Sequence, residues 1–199
     1  LTGVATDSHR LSSSSILVKN NYQFSPFILP RKTVYQLSTL LSENKQNVNI
    51  LIGENKVQFT IGKIRLISKV IDGKFPDYKK VVPSDNNKSL IVPCKDFITS
   101  IERVTSVSLD RKEGVKLTVS KSNVKLSVNS TNSGEGNEII KGNYDGEELI
   151  ISFNSKYLLD IASEIDDKDL KINLKDSISP VLVQDNSDKN SYYVVMPMK

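Results

Sequence analysis

An internal repeat constrains the fold of this chain more than any other feature of its sequence. Three segments, residues 26–41, 89–104 and 149–165, each run from a short β-rich stretch into a helical pattern of apolar residues. When Pro30, Pro93 and Asn154 are superposed, a lysine and two apolar positions coincide in all three segments. The coinciding residues are Lys32, Lys95 and Lys156, then Val34, Phe97 and Leu158, then Tyr35, Ile98 and Leu159. Because the register is shared, we interpret the segments as copies of one structural unit.

Each copy predicts a β-α-β-β-β unit. Proline and asparagine are both favoured at helix starts, so Pro30, Pro93 and Asn154 mark the start of each helix. Alternating apolar patterns then predict strands at residues 48–53, 57–62, 64–71, 115–120, 124–130, 170–174 and 180–185. Turns are predicted at residues 53–55 and 120–123, and a glycine-containing loop at 133–137. The fold class that follows is α+β.

Composition excludes several kinds of site. The single cysteine, Cys94, cannot form a disulfide within the chain, and the single histidine, His9, has no companion at metal-ligand spacing. We therefore predict no metal and no cofactor. No apolar run approaches the roughly 20 residues that cross a bilayer, which favours a cytoplasmic protein without membrane contact. The net charge of +4 fits a polyanionic partner, although many solvated surfaces have the same balance.

The ends of the repeats predict two domains. Residues 1–21 have the pattern of the last strands of a further copy without its helix, and the chain begins with Leu1, so we expect a fragment of a longer protein. Residues 75–88, with two prolines and a polar cluster, are the best candidate for a linker. This division gives an incomplete domain over residues 1–83 and a complete domain over residues 84–199.

Three local sequences carry a resemblance to a known family. ATDSHRL (residues 5–11), DGKFPDYKKVVP (72–83) and YVVMPMK (193–199) resemble segments of the bacterial β sliding clamps, the beta subunits of DNA polymerase III. The order and spacing agree throughout, so the resemblance covers essentially the whole chain. It implies a middle clamp domain over 1–83 and a C-terminal clamp domain over 84–199. It also implies a protein without catalytic activity that encircles duplex DNA and makes DNA polymerase III processive.

The resemblance further implies a pocket for short peptides of the Gln-Leu-x-Leu-Phe type, carried by polymerases, the clamp loader and repair proteins. Its implied wall is Thr6, His9, Arg10, Leu11, Pro76, Val81, Asn154, Tyr157, Ile178, Pro180, Val194, Met196, Pro197 and Met198. Apolar members of this set suit leucine or phenylalanine, and His9, Arg10 and Asn154 supply hydrogen-bond donors. Three positions depart from the family pattern: Ser8 replaces a usual glycine, Pro180 a common serine and Lys199 a usual arginine.

Basic residues near the helix starts suggest a second surface. The helix dipole disfavours a lysine in the first turn, so its recurrence in three copies indicates a use. The resemblance implies DNA-facing helices, with sequence-independent phosphate contacts that weaken with salt, from Arg31, Lys32, Lys95, Arg103 and Lys156. It also implies a homodimeric ring in the full-length protein, closed by a segment that includes Ser106 and Val107.

Other interpretations stay open at this point. A repeat-built protein-interaction module unrelated to replication would fit the repeats, and salt-dependent affinity for duplex DNA would separate the two. Asp7, Ser8 and His9 have the residue types of a hydrolase triad, but neighbours on a strand point to opposite faces, which argues against a Ser8–His9 pair. The alternation of Val194, Met196 and Met198 fits a core strand as well as an exposed edge.

Overall fold

The computed structural model describes residues 1–18, 24–43, 46–107, 114–130 and 134–198. Lys199, one of the three departures from the family pattern, lies outside these ranges. Ser133, the first residue of the predicted glycine-containing loop, also lies outside them. The described helices are α1 (Arg31–Glu43), α2 (Cys94–Thr105) and α3 (Ser155–Ala162), with a 3-10 helix at Tyr78–Val81. The described strands are β1 (Thr2–Thr6), β2 (Arg10–Ser15), β3 (Val48–Ile52), β4 (Lys56–Ile61), β5 (Ile64–Lys69), β6 (Lys88–Pro93), β7 (Gly114–Val119), β8 (Asn123–Ser130), β9 (Gly134–Lys141), β10 (Asn143–Tyr144), β11 (Leu149–Asn154), β12 (Asp169–Leu174), β13 (Val181–Asp185) and β14 (Ser191–Val195).

The chain forms two compact units. The larger unit combines Leu1–Val18 with Lys80–Lys199, and the smaller unit is Lys19–Lys79. The element order β6-α2-β7-β8-β9 and β11-α3-β12-β13-β14 reproduces the predicted repeat in the larger unit. The α+β prediction is therefore confirmed. The domain boundary between residues 83 and 84 stays a prediction.

The larger unit contains two antiparallel sheets. One has the strand order β1-β2-β14-β13-β12-β6-β10, and the other has the order β11-β7-β8-β9. Helix α2 buries Phe97, Ile101 and Val104 at helical spacing, and α3 buries Leu158 and Ile161. These side chains join apolar residues from both sheets in one hydrophobic core.

The helix starts agree with the sequence prediction. Pro93 is the N-cap of α2, and α1 begins directly after Pro30. At α3, Asn154 caps the helix through its side chain, whose Oδ1 accepts a hydrogen bond from the backbone N–H of Lys156 at 3.0 Å. Local chemistry therefore sets these boundaries in each copy.

The smaller unit contains α1 and the antiparallel sheet β3-β4-β5. On β4, Val57, Phe59 and Ile61 alternate inward and are almost fully buried. Val34 on α1 is exposed, although the equivalent repeat positions Phe97 and Leu158 are buried in the larger unit. Tyr35 is exposed as well, whereas its equivalents Ile98 and Leu159 are partly buried. The shared sequence register therefore does not give equal burial.

One predicted loop is wrong. The glycine-containing stretch that begins at residue 134 forms β9, an eight-residue strand paired with β8. Gly136 allows this, because a Cβ there would lie 2.5 Å from the backbone oxygen of Val104 on α2. Glycine therefore serves close approach of a helix to the strand here, rather than a turn.

The described residues contain neither a membrane-spanning helix nor a metal-ligand cluster. No helix in these ranges is long and apolar enough to cross a bilayer. Nor do the described His, Cys, Asp and Glu side chains include three or more grouped to hold a metal ion.

Candidate functional site

A tight turn connects β1 and β2. Asp7 Oδ1 accepts hydrogen bonds from the backbone N–H groups of His9 and Arg10, both at 3.0 Å, and Thr6 Oγ1 donates to the Arg10 carbonyl at 2.8 Å. Ser8 has a φ of 75°, in the left-handed region. The expectation that Ser8 and His9 lie on a strand is therefore wrong. The Asp7 carboxylate accepts hydrogen bonds from two backbone N–H groups and from the Arg10 side chain, not from the His9 ring. This arrangement argues against a hydrolase triad.

Arg10 joins this hairpin to α3. Its Nε donates to Asp7 Oδ2 at 3.0 Å, and its Nη1 donates to Asp160 Oδ2 at 2.7 Å. The guanidinium carbon lies 4.3 Å from the centroid of the Tyr157 ring, within cation–π distance. The His9 ring is near-parallel to Tyr157 at a centroid distance of 6.4 Å. We call these residues, Asp7, His9, Arg10, Tyr157 and Asp160, the arginine cluster.

The arginine cluster keeps its charges. Burial raises the pKa of the Asp160 carboxyl, but hydrogen bonds from Arg10 and Lys156 outweigh this effect and hold the pKa below its usual value. Burial likewise raises the pKa of Asp7, and bonds from the His9 backbone and the Arg10 side chain reverse it. Burial lowers the pKa of Arg10, while Asp160 and Asp7 raise it above its ordinary value. All three groups are therefore charged at neutral pH.

The C-terminal strand connects the arginine cluster to an apolar surface. Val194 on β14 pairs with Leu11 on β2, and both are buried, at 3% and 4% exposure. After β14, the backbone N–H of Met196 donates to the His9 carbonyl, and that of Met198 donates to the Ser152 carbonyl, each at 2.8 Å. Met196 and Met198 are exposed. Leu11 and Val194, predicted as pocket wall, are thus almost fully buried, and their role in a pocket stays a prediction.

An open cleft of about 330 Å³ lies beside Met196. Its lining is Lys80, Val81, Val82, Pro83, Asp85, Asn86, Ser179, Pro180 and Met196. Asn86 Nδ2 donates to the carbonyls of Asn173 and Pro180, at 2.9 and 3.0 Å, and ties the segment before β6 to the β12–β13 turn. Another depression, of about 400 Å³, lies among β7, β8 and β9 with mostly polar lining and contains no predicted site residue.

The β12–β13 turn presents a further apolar side chain. Asp176 Oδ1 accepts from the backbone N–H groups of Ile178 and Ser179, at 2.9 and 2.7 Å. This arrangement leaves the Ile178 side chain 71% exposed. Ile178 is thus an exposed neighbour in sequence of Ser179 and Pro180, which line the cleft.

The structure brings together only part of the predicted site. Val81, Pro180 and Met196 share the cleft, while His9, Arg10 and Tyr157 share the arginine cluster. Thr6 supports the turn, Asn154 caps α3, and Pro197 separates the two exposed methionines. Pro76 lies in the smaller unit, so its role stays a prediction.

Sequence reasoning missed two side chains of the larger unit. Asp160 accepts a hydrogen bond from Arg10, which is 150 residues away in the sequence. Asn86 donates to the carbonyls of Asn173 and Pro180, which are 87 and 94 residues away. No spacing pattern could have found either one, since both contacts depend on the tertiary fold.

The predicted DNA-facing cations have different surroundings. Lys156 Nζ lies 3.2 Å from Asp160 Oδ1, and Arg103 Nη1 lies 2.7 Å from Glu138 Oε1. Lys95 is exposed on α2, and Arg31 and Lys32 are exposed on α1 in the smaller unit. At the predicted subunit contact, Ser106 is exposed, whereas Val107 packs against the core. Both roles stay predictions.

The chain thus has a repeat-built α+β fold with an open cleft and a charged cluster on its larger unit. Residues 79–199 match the family described as DNA polymerase III beta subunit, C-terminal domain, and residues 1–77 match its central domain. The chain therefore belongs to the DNA polymerase III beta subunit family.

Relatives and solved structures agree with this assignment. The chain is 36% identical over 200 residues to the beta sliding clamp of Caulobacter vibrioides and 33% identical over 199 residues to that of Escherichia coli K12. Both alignments cover all of this chain and 54% of the relative, so the chain spans about half their length. The sliding clamp of Bartonella birtlesii bound to griselimycin matches with a TM-score of 0.95 and 38% identity, over 100% of this chain and 54% of that one.

Proposed function

We propose that this chain is part of a sliding clamp that encircles duplex DNA and keeps DNA polymerase III on its template, without catalysing a reaction itself. In this role it docks polymerases, the clamp loader and repair proteins through their short linear motifs. The protein would act in the cytoplasm, where the bacterial chromosome is copied. The observation that supports this proposal is the apolar cleft of Val81, Pro180 and Met196, which continues through the Met196–His9 backbone hydrogen bond to the arginine cluster.

The cleft suits a peptide with two apolar anchors. Each buried leucine or phenylalanine contributes about 1.5–3 kcal/mol. Ordering a flexible peptide offsets much of this gain, so we expect dissociation constants of roughly micromolar order. Weak sites of this kind allow partners to exchange, and a second subunit or bound DNA would strengthen them through avidity.

A fluorescence-anisotropy titration with a labelled Gln-Leu-x-Leu-Phe peptide tests the docking proposal. Met196→Ala should weaken binding by about tenfold, because it removes apolar contact area from the cleft. Ile150→Ala is the matched control, since Ile150 is also exposed in the larger unit but does not line the cleft. A scrambled peptide should not bind. Equal affinities for the two variants, or no saturable binding by the unaltered chain, would contradict docking at this cleft.

The DNA contact is a separate part of the proposal. Arg31, Lys32, Lys95, Arg103 and Lys156 would meet phosphates without reading sequence. The logarithm of the affinity of the intact protein for duplex DNA should therefore fall linearly with the logarithm of the salt concentration. The slope should be similar for unrelated DNA sequences. Binding that ignores salt, or no DNA binding, would favour a protein-interaction module unrelated to replication.

A further inference from the structure

We propose that Asp160 is a positioning residue for the peptide site, and that Arg10 supports the site wall instead of donating to the peptide. This inference rests on the proposed docking function. It reassigns Arg10, which the sequence analysis had taken as a peptide donor.

The Arg10 guanidinium is held by two carboxylates and one aromatic ring. Two of its nitrogens are committed to carboxylates, Nε to Asp7 at 3.0 Å and Nη1 to Asp160 at 2.7 Å. The planar group also lies over the Tyr157 ring, with its central carbon 4.3 Å from the ring centroid. Charge-assisted bonds of this length are strong, and turning the guanidinium toward a peptide would break both of them.

Asp160 links helix α3 to the hairpin that carries Arg10. Asp160 is on α3, whereas Arg10 begins β2, so their hydrogen bond attaches the β1–β2 hairpin to the helix. The next residue toward the turn, His9, accepts the hydrogen bond from the Met196 backbone N–H. A continuous path therefore runs from Asp160 through Arg10 and His9 to Met196 at the cleft. Loss of the Asp160 carboxylate should loosen the wall without removing a group that touches the peptide.

Charge balance agrees with this role. Asp7 and Asp160 carry two negative charges that face the positive charges of Arg10 and Lys156. The positive charge of Arg10 is thus balanced by two acids of the same chain, which hold the guanidinium in place.

The test compares Asp160→Asn, Arg10→Gln and the double variant in the anisotropy titration. Each single change should weaken peptide binding by about three- to tenfold, and the double variant should be no weaker than the worse single variant, because both changes break one contact. Asp160→Glu keeps the charge and should recover at least part of the affinity. Asp96→Asn, an exposed acid in the first turn of α2, is the matched control and should bind like the unaltered chain.

Two readouts separate support from direct donation. A peptide with its glutamine replaced by alanine should lose the same factor of affinity against the unaltered chain and against Arg10→Gln, since Arg10 does not contact that glutamine. In ¹H–¹⁵N spectra, the Arg10 Nη1–H signal, whose donor group bonds Asp160, should shift in Asp160→Asn and not in Asp96→Asn.

The outcomes are distinguishable. Failure of the unaltered chain to bind peptide would refute the docking function and with it this inference. Peptide binding by the unaltered chain together with undiminished binding by Asp160→Asn, additive losses in the double variant, or a glutamine effect that disappears in Arg10→Gln would each overturn the positioning role alone.

Discussion

Replacement of Ser8 by glycine should stabilise the chain. Ser8 has a φ of 75°, a left-handed conformation that costs an L-residue roughly 1–2 kcal/mol and costs glycine little. Glycine also makes the unfolded chain more flexible, which offsets about 0.4–1 kcal/mol of this gain in stability. The hydrogen bond that Ser8 makes, from its backbone N–H to Thr6 Oγ1, survives the change. The net effect should be about 0.5–1 kcal/mol of added stability.

Thermal unfolding followed by circular dichroism measures this effect. For a chain of this size, about 1 kcal/mol moves the midpoint by roughly 2–4 °C, so Ser8→Gly should raise it by about 1–4 °C. Ser12→Gly is the control with the opposite sign, because Ser12 is exposed in the extended strand β2, where glycine costs about 0.5–1 kcal/mol. If Ser8→Gly lowers the midpoint as Ser12→Gly does, the turn conformation is not a source of strain and the reasoning fails.

Two further predictions concern packing and pH. Gly136→Ala should lower the free energy of unfolding in urea by about 1–3 kcal/mol, because its Cβ would meet the Val104 backbone oxygen at 2.5 Å. Gly3→Ala, which meets no heavy atom within 4 Å, should leave it near the original value, and equal results for both variants would contradict the close approach. Because the folded-state pKa values of Asp7 and Asp160 are lowered, the stability from their bonds to Arg10 is present above pH 4 and is lost as the pH falls through those values. The difference in thermal midpoint between the unaltered chain and Asp160→Asn should therefore shrink as the pH falls below about 4, and a difference that is the same at pH 3 as at pH 6 would refute this account.

The sequence was sufficient for features that depend on neighbouring residues. The repeat register, the α+β class and the helix starts at Pro93 and Asn154 follow from apolar spacing and from the chemistry of a few residues at each boundary. The turn at residues 120–123 is of the same kind, since Ser120 and Asn123 bond each other within four residues. The family resemblance also rests on short local stretches.

The features that the sequence left open depend on contacts between distant parts of the chain. Alternation could not say which of Val194, Met196 and Met198 is buried. Val194 is buried in β14, which pairs with β2 and β13, while the two methionines lie beyond the end of β14 and are exposed. A glycine-containing stretch forms strand β9 because it pairs with β8, and glycine at residue 136 leaves room for α2. Arg10 meets Asp160 across 150 residues, and only the folded chain brings the two charges within 2.7 Å. Burial and long-range partners are properties of the packed molecule, and they decided which of the predicted residues are exposed and which are buried.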